Sequence, residues 1–404
     1  MSVLDLFTKD ALETALANNT YRTLRHITSP EAAHIMIADG SSANDKSALL
    51  LASNSYLDLA NIEELKRAMA DAVMEWGTGS GGARLTTGNK IPHDELEETI
   101  AKFKGEEAAI AFNTGYMANV GAISALCGKN DVVFSDELNH ASIIDGIRLS
   151  QAKCFVYKHN DMEDLQRAFC EADKFRLDNP TLPSPRKLIV TDAVFSMDGD
   201  LANLPELLRI AREQGALLMI DEAHATGVIG KTGRGLAEHY GCEHADVTVG
   251  TLSKAVAAEG GFVAGKRQLI EFLRNRSRSF IFTTAMAPAV AAAACNNLKF
   301  IDAHPERVLQ LQENVKIFCE ALRREGLNVP TSPSAIVPII VGDEARALDI
   351  SAKLQERGIL IPAIRYPTVA KGEARLRASL MATHTREELL WAAKEIAQAI
   401  QLTF

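Results

Sequence analysis

Two short segments of this chain place an acid, a histidine and a lysine where catalytic side chains are commonly found. Asp221 and His224 follow the apolar run at residues 217–220, and Lys254 follows a second β-rich run at residues 247–249. Both runs have the composition of buried strands, and in open α/β sheets the ligand crevice lies outside the carboxyl ends of the strands. Pyridoxal 5'-phosphate (PLP) requires a lysine for its Schiff base and an acid that keeps its ring nitrogen protonated. The sequence therefore predicts a PLP site that contains Lys254 and Asp221.

A nucleotide-hydrolysing site is the alternative for the same segment. DEAH at residues 221–224 resembles the Mg²⁺-binding motif of helicases, and Gly230, Lys231 and Thr232 resemble the end of a phosphate loop. A phosphate loop has the pattern G-x-x-x-x-G-K-[ST], and Ala225 occupies the position of its first glycine. The basic motif also follows the acidic one, which is the wrong order. A DEAH-type NTPase is therefore the less favoured interpretation.

The composition is that of an ordinary globular protein. A chain of 404 residues with 47% hydrophobic and 24% charged residues predicts two or more domains. The net charge of −9 gives no reason to expect nucleic-acid binding. The chain has neither an apolar run long enough to span a membrane nor a signal-peptide pattern at its start. We therefore expect a cytoplasmic protein with reduced thiols and no metal site, because the cysteines are scattered (127, 154, 170, 242, 295 and 319).

Seven apolar runs, several of them separated by helical patterns, predict a largely parallel sheet covered by helices. They lie at residues 109–112, 132–134, 154–157, 187–190, 217–220, 247–249 and 262–264.

The loops after these runs contain further polar residues. NTGYMAN at residues 113–119 offers backbone N–H groups at a helix start, where phosphate binds readily. His140 lies in the next such loop, and Asp192 and Ser196 lie in the loop of TDAVFSMDGD. Because these loops belong to one sheet, we expect their side chains to meet at one crevice.

The chain divides into three predicted parts. These are an N-terminal segment at residues 1–45, a large domain at 46–288 and a smaller C-terminal α+β domain at 289–404. In the last part, Arg375 and Arg377 alternate with apolar neighbours and therefore project from the same face of a strand. A basic strand face directed at a crevice suits a substrate carboxylate.

Three local signals concern the ends of elements. Asn61 with Glu64, and Thr385 with Glu388, have the spacing of capping boxes at helix starts. The proline-rich residues 177–186 predict a surface connection.

Taken in order, the motifs resemble those of the α-oxoamine synthases, a PLP-dependent family of the aspartate aminotransferase fold type (fold type I). The resemblance covers nearly the whole chain. Its motifs are GSGGARLTTGN, His93, NTGYMAN, the NHAS loop, VFSMDGD, IDEAHATGVIG, GTLSKAVAAEGG and ARLRASL. It implies an α/β fold, with a mainly parallel seven-stranded sheet in the large domain and a smaller C-terminal α+β domain.

The resemblance also implies a role for individual residues. The residues implied in catalysis are Lys254 as Schiff-base lysine and base, Asp221 as partner of the ring nitrogen, His140 stacked on the ring, and His224 at the ring hydroxyl. The cofactor would further contact Ser196 and, through its phosphate, Gly115, Tyr116, Thr251, and Thr283 and Thr284 across a homodimer interface. Asn54 and Arg377 match positions that hold the amino acid. Arg25 and Thr368 match acyl-substrate positions, although the spacing around Arg25 alone indicates only a solvated basic face.

Three positions depart from the family pattern. Ala257 lies where glycine is common after the lysine, Glu259 is unusual beside a cofactor, and Asp58 occupies a position where glycine is usual. These departures put local loop geometry in question and leave the chemistry unchanged.

Members of this family perform a decarboxylative Claisen condensation of an amino acid with an acyl thioester. SAIVPIIVGDEARAL and AIRYPTV favour the member of biotin synthesis that joins L-alanine to pimeloyl-CoA or a pimeloyl-carrier protein. YPTVAKGEARLRASLMATHT also resembles glycine C-acetyltransferase, which remains the main alternative. Serine palmitoyltransferase-like and 5-aminolevulinate synthase-like activities are further alternatives.

Overall fold

The computed structural model describes residues 2–17, 20–38, 45–177 and 185–403. Its helices are α1 Val3–Ala17, α2 Glu63–Trp76, α3 Ile91–Lys104, α4 Gly115–Leu126, α5 Ala141–Ser150, α6 Met162–Leu177, α7 Leu204–Gln214, α8 Leu236–Tyr240, α9 Arg267–Arg276, α10 Arg278–Ile281, α11 Pro288–Ala303, α12 Glu306–Arg324, α13 Glu344–Glu356 and α14 Arg386–Gln401. Its strands are β1 His34–Ile37, β2 Lys46–Leu50, β3 Ala108–Phe112, β4 Val132–Asp136, β5 Lys153–Tyr157, β6 Lys187–Asp192, β7 Leu217–Asp221, β8 Val247–Thr251, β9 Gly261–Gly265, β10 Ile336–Gly342, β11 Ile359–Leu360, β12 Ala363–Ile364 and β13 Ala374–Ser379. Within the described ranges, no helix has the length and apolarity that crossing a membrane requires.

The central sheet has seven strands in the order β3-β9-β8-β7-β6-β4-β5. All its neighbouring pairs are parallel except the two that involve β9. Each apolar run predicted from the sequence forms one of these strands, so the predicted mainly parallel α/β sheet is confirmed.

Both faces of this sheet are buried, which explains why the strands are apolar throughout. In β6, Leu188 and Val190 pack in one hydrophobic cluster, whereas Ile189 between them packs in the other. This alternation follows from the two-residue repeat of a strand. Helices therefore cover the sheet on both sides, and polar side chains can reach a cavity only where the strands end.

Two smaller sheets complete the fold. Strands β10, β13 and β12 form an antiparallel sheet in the C-terminal part, as its predicted α+β character requires. In the other sheet, β2 pairs antiparallel with β1 and parallel with β11. That sheet joins strands from both ends of the chain, and the exact domain limits at residues 45 and 288 remain a prediction.

The two capping predictions have different outcomes. Thr385 accepts a hydrogen bond from the backbone N–H of Glu388 at 3.2 Å, and the Glu388 carboxylate accepts one from Thr385 N at 2.7 Å, so this capping box is confirmed. The box at Asn61 is wrong, because α2 follows Ile62 without a side-chain cap. The Asn61 amide instead donates to the carbonyl of Glu31.

Two other expectations concern the cysteines and the proline-rich connection. All six cysteines are free, as predicted. Most of the connection predicted at residues 177–186 lies outside the described residues.

Candidate active site

Polar loops meet at the carboxyl ends of the parallel strands. His140 follows β4, Ser196 follows β6, His224 follows β7 and Lys254 follows β8, while Asp221 is the last residue of β7. Because β4, β6, β7 and β8 are neighbours in one parallel array, these loops emerge at the same edge of the sheet.

The start of α4 forms a seat for an anion beside β8. Thr114 caps the helix by accepting a hydrogen bond from Met117 N at 3.1 Å. The N–H groups of Gly115 and Tyr116 belong to the first turn, where no intrahelical acceptor is available. A Cβ at Gly115 would lie 3.2 Å from the Thr251 hydroxyl oxygen. Glycine therefore lets Thr251 approach the helix start, where the dipole also favours a phosphate.

Lys254 presents its amine to this crevice. The side chain is half-buried and makes no hydrogen bond or ion pair with any residue that the structure describes. Burial lowers the pKa of Lys254 to about 8, although the charges of Asp221 and Asp192 act in the opposite direction. The amine is therefore available in its neutral, nucleophilic form near neutral pH.

Asp221 is held by a network of donors. One carboxylate oxygen accepts a hydrogen bond from the Asn119 amide at 2.6 Å, and the other accepts one from Ala223 N at 2.8 Å. Asp192, which pairs with Asp221 across β6 and β7, accepts from His140 N at 2.8 Å. Burial and the neighbouring Asp221 raise the pKa of Asp192 well above its usual range. The ionised form of Asp192 is thus disfavoured at this position.

His140 lies at the N-terminus of α5 and is exposed. Its Nδ1 lies 2.7 Å from the hydroxyl of Ser142 and accepts from the backbone N–H of the same residue at 3.2 Å. Desolvation by the crevice walls, together with the charge of Lys254, lowers the pKa of His140, and Asp221 opposes the shift. The imidazole is therefore neutral and has a fixed orientation.

Tyr56, which was not predicted as a site residue, connects His224 to Asn54 through hydrogen bonds. The Tyr56 hydroxyl lies 2.7 Å from His224 Nδ1 and donates to the Asn54 amide oxygen at 3.1 Å. Burial lowers the pKa of His224 well below its usual range and raises the pKa of Tyr56 to about 12. Both groups are therefore neutral hydrogen-bonding partners.

Arg377 reaches the same crevice from β13. Its guanidinium donates to the carbonyl of Ser196, to the Ser379 hydroxyl at 2.8 Å and to the Asn54 amide oxygen at 3.3 Å. The side chain is buried, and none of the described carboxylates forms an ion pair with it. The structure thus brings together the two residues predicted to hold the amino acid and leaves a buried positive charge there.

Arg375 lies on the same strand face, but its guanidinium is paired with carboxylates of the protein. It forms ion pairs with Asp198 and, at 3.3 Å, with Glu373. Its charge is already neutralised by protein groups. Arg377 is therefore the better candidate for a substrate carboxylate.

The four other predicted cofactor contacts have different surroundings. After α10, Thr283 is half-buried and Thr284 is exposed, and the Thr284 carbonyl accepts from the Asn113 side chain at 2.9 Å. The exposed Tyr116 ring donates its hydroxyl hydrogen to Asp145 at 2.5 Å, and Ser196 is half-buried. Within one chain, Thr283 and Thr284 are not joined to the residues around Lys254 by any described hydrogen bond.

The two predicted acyl-substrate residues are also separate from the Lys254 cluster. Arg25 is exposed on an extended segment, and Thr368 is exposed on the turn after β12. Thr368 and Arg22 line a shallow surface pocket. No described hydrogen bond connects Arg25 or Thr368 to the other predicted site residues.

The nucleotide-binding alternative has no phosphate seat in this structure. The backbone N–H groups of Thr232 and Arg234 both donate to the Glu238 carboxylate, at 3.1 Å and 3.0 Å. Glu222 of the DEAH sequence forms a buried ion pair with Lys104. These groups are engaged within the protein and cannot hold a nucleotide phosphate and its metal ion.

Sequence reasoning missed three residues of the site. Tyr56 connects Asn54 to His224, and Asn119 and Ser142 connect Asp221 to His140. Asn119 and Ser142 lie inside motifs already recognised, NTGYMAN and NHAS. Tyr56 lies two residues from Asn54, but this spacing alone does not indicate that Tyr56 belongs to the site.

Backbone conformation explains two of the three departures from the family pattern. Ala257 has a φ of 53° and Asp58 a φ of 50°, which is the left-handed region that glycine adopts most easily. Aspartate tolerates this region, and Asp58 also accepts a hydrogen bond from Thr383 at 2.8 Å. Glu259 is exposed. The loop after Lys254 therefore keeps the backbone conformation typical of glycine, with Ala257 in the place of the glycine.

The residues at this crevice fit PLP. The start of α4 with Thr251 suits a phosphate, the unpaired Lys254 amine suits an aldehyde, and the Asp221 carboxylate suits a protonated ring nitrogen. His140 is exposed, so its ring is accessible to a flat aromatic ring.

Comparison with known proteins gives a consistent result. A family model described as aminotransferase class I and II matches residues 46–396. A Desulfovibrio desulfuricans protein, provisionally named 8-amino-7-oxononanoate synthase, is 50% identical over 96% of this chain and 97% of its own. The 8-amino-7-oxononanoate synthase of Thermoanaerobacter pseudethanolicus is 45% identical over 96% and 95%. A solved structure of SPT (serine palmitoyltransferase) with PLP is 30% identical, with a TM-score of 0.89 over 100% of this chain and 99% of that one.

Proposed function

This chain belongs to the aminotransferase class I and II family, among the PLP-dependent α-oxoamine synthases, and from that premise we propose that it makes 8-amino-7-oxononanoate for biotin synthesis. The reaction joins L-alanine to a pimeloyl thioester, carried by CoA or a carrier protein. The α-carbon of alanine loses its proton and bonds to the acyl carbonyl carbon, and the carbon–sulfur bond breaks to release the thiol. The alanine carboxylate then leaves as carbon dioxide, and a proton replaces it on the α-carbon. The observation that carries this proposal is the buried, unpaired charge of Arg377 beside Asn54, in the crevice of Lys254 and Asp221.

Each residue at the crevice has a proposed task. When bound, PLP supplies an aromatic ring that accepts the electron pair released at the α-carbon of the amino acid. Asp221 keeps a proton on the ring nitrogen, and Asn119 and Ala223 N hold that carboxylate in place. Gly115, Tyr116 and Thr251 hold the phosphate.

Lys254 has two roles. It would hold the cofactor covalently, and its Nζ, when free, would take the α-proton of the amino acid. A pKa of about 8 supports the second role, because general bases work best when their pKa lies near the working pH. Its half-buried position limits competing contacts with water.

The remaining residues orient the substrates and the ring. Arg377 and Asn54 grip the carboxylate of the amino acid, and a guanidinium does so with two parallel hydrogen bonds. His140 stacks on the ring and positions the acyl group, while His224 and Ser196 contact the ring hydroxyl. Arg25 and Thr368 contact the acyl thioester.

The proposed active unit is a homodimer in the cytoplasm. Thr283 and Thr284 would bind the phosphate held by the other subunit, and the neighbouring Phe282 is 71% exposed. Such an exposed aromatic side chain supports a protein interface at this surface. Free cysteines support a reducing compartment.

Subunit complementation tests the dimer. A Lys254→Ala protomer and a Thr283→Ala/Thr284→Ala protomer are each expected to be inactive or weak alone. Mixed after unfolding and refolding together, they regain activity, because one of the two sites in each heterodimer is then intact. An active monomer in sedimentation contradicts the proposal.

Substrate identity is tested by thiol release from a panel of amino acids and acyl thioesters. We expect the highest kcat/KM with L-alanine and pimeloyl thioesters, and borohydride reduction should fix PLP on Lys254 by peptide mapping. Release of thiol with other pairs only, or a label on another lysine, would overturn the assignment.

Glycine C-acetyltransferase is the second candidate, favoured by the segment YPTVAKGEARLRASLMATHT. That enzyme typically carries one more residue between the lysine and the paired glycines than this chain has at Gly260 and Gly261. The same panel separates the two candidates, since glycine with acetyl-CoA would then be the best pair.

A further inference from the structure

A continuous chain of hydrogen bonds joins Asp221 to His140 behind the cofactor crevice. The Asn119 amide nitrogen lies 2.6 Å from Asp221 Oδ2 and 2.9 Å from Ser142 Oγ. Ser142 Oγ in turn lies 2.7 Å from His140 Nδ1. Asn119, Ser142 and Asp221 are buried, at 2%, 0% and 4% exposure, so water does not compete for these bonds.

The donors and acceptors in this chain can be arranged in one way. The Asn119 nitrogen must face Asp221, because the amide oxygen there would oppose a carboxylate oxygen. Its two hydrogens then go to Asp221 and Ser142, which leaves Asn119 Oδ1 as a buried acceptor without a partner among the described residues. Ser142 Oγ accepts from Asn119 and still has one hydrogen and a second lone pair, so the direction of its bond to His140 depends on whether Nδ1 is a donor or an acceptor.

The backbone at the start of α5 decides this direction. The N–H of Ser142 also donates to His140 Nδ1, at 3.2 Å. A ring nitrogen that accepts a hydrogen bond carries no hydrogen of its own, so the Ser142 hydroxyl also donates to Nδ1. The single hydrogen of the neutral imidazole is therefore on Nε2.

We propose that Asn119 and Ser142 are positioning residues that lock His140 in its Nε2–H tautomer and tie its orientation to Asp221. His140 then presents a hydrogen-bond donor to the crevice, which suits a carbonyl oxygen that gains negative charge during acyl transfer. Asn119 has a second effect, because its donation holds the Asp221 carboxylate in place. This assignment of roles rests on the proposed function, whereas the tautomer depends only on the protein.

Cofactor-free protein provides the direct test. We would label the histidines with ¹⁵N and identify the His140 signals by their loss in His140→Gln. The expected spectrum shows an unprotonated Nδ1 and a protonated Nε2. Ser142→Ala should shift the Nδ1 signal, because it removes the closer of the two donors.

A matched variant on the same helix controls for loss of a buried hydroxyl. Ser150 is buried near the end of α5 and its hydroxyl donates to Ile147 O at 2.7 Å. Ser150→Ala should leave the His140 signals unchanged. A hydrogen on Nδ1 in the unsubstituted protein, or unchanged His140 signals in Ser142→Ala, would overturn the proposal.

The loaded enzyme provides a second readout that separates the two residues. Ser142→Ala should lower kcat about 3- to 10-fold, the scale of one neutral hydrogen bond, with little change in the KM for L-alanine. Asn119→Ala removes a bond to a charged group and should lower kcat about 10- to 150-fold. It should also shift the pH dependence of the cofactor absorbance, which Ser142→Ala should not do.

Asn314→Ala is the control for Asn119→Ala. Asn314 is equally buried, and its amide donates to the carbonyls of Met381 and His384 at 2.9 Å. An equal spectral shift in both variants would contradict a specific role for Asn119. If Asn119→Ala does not fold, Ser142→Ala still decides the tautomer. Failure of thiol release with every substrate pair would refute the function, while the ¹⁵N result would still decide the lock.

Discussion

The residues predicted to hold the cofactor and those predicted to hold the acyl substrate have different surroundings. Around Lys254, Asp221, His224 and Thr251 are buried, and Asp221 accepts a hydrogen bond from the buried Asn119 at 2.6 Å. Arg25 and Thr368, predicted for the acyl substrate, are exposed on extended or turn segments.

This contrast distinguishes side chains that the folded protein holds in place from side chains that become ordered only when the substrate binds. A buried polar group that loses its partner costs free energy, so the arrangement around Asp221 is rigid in the absence of ligand. An exposed side chain is solvated and makes its contact only when the ligand arrives. Substitutions on the cofactor side should therefore affect the chemistry, and those on the acyl side should affect binding.

Asp221→Asn should have the largest effect of these tests. The amide cannot keep the ring nitrogen protonated, so turnover should fall by roughly two to three decades, the scale of a key electrostatic contact. PLP should still bind, because the phosphate seat at Gly115 and Thr251 is intact. Steady-state kinetics on cofactor-loaded protein measures this loss. Near-normal turnover in a folded variant would remove Asp221 from its proposed role.

The reactivity of Lys254 towards PLP should show its lowered pKa. Addition to the aldehyde requires the neutral amine, whose fraction grows as the pH rises through the pKa. With a pKa of about 8, roughly half of Lys254 is neutral at pH 8, against less than about 1% for a lysine at 10.5. The rate at which cofactor-free protein is reloaded should therefore rise with a midpoint near pH 8. Lys254→Ala provides the background, and a midpoint above pH 10 would contradict the lowered pKa.

The two arginines of β13 should differ in their effect on amino-acid binding. Arg377→Lys loses the paired hydrogen bonds to the carboxylate and should weaken L-alanine binding by about 1.5–3 kcal/mol. Spectral titration of the loaded enzyme measures this affinity. Arg375→Lys, on the same strand face but paired with Asp198, is the control. Loss of affinity in the Arg375 variant alone would show that the wrong arginine has been chosen.

Substitutions on the acyl side should have the smallest effects. Arg25→Ala and Thr368→Ala should each raise the KM for the acyl thioester by no more than about 10-fold, since exposed contacts contribute about 1 kcal/mol. The L-alanine titration and the PLP content should not change. Loss of PLP from either variant would place that residue on the cofactor side and weaken the contrast between the two regions.

The sequence predicted the elements of the fold better than the contacts between them. All seven apolar runs are strands of the central sheet, because burial on both faces leaves an uninterrupted apolar signal. The capping box at Thr385 was predicted correctly and the one at Asn61 was not. Both have the required spacing, but the Asn61 amide finds a partner in the distant Glu31 carbonyl. A competing tertiary contact of this kind leaves no local signal.

The sequence by itself determined the chemistry of this protein: a lysine, an acid and a helix start after successive strands, in the order of one PLP-dependent family. Such information is local, because strand ends and helix starts are encoded by the residues that form them. Only the tertiary structure decided which side chains control one another. It distinguished Arg377 from Arg375 by their partners and revealed Tyr56, Asn119 and Ser142 as connections. Those connections join residues far apart in the chain, and the free energy of a buried hydrogen bond depends on both partners being present.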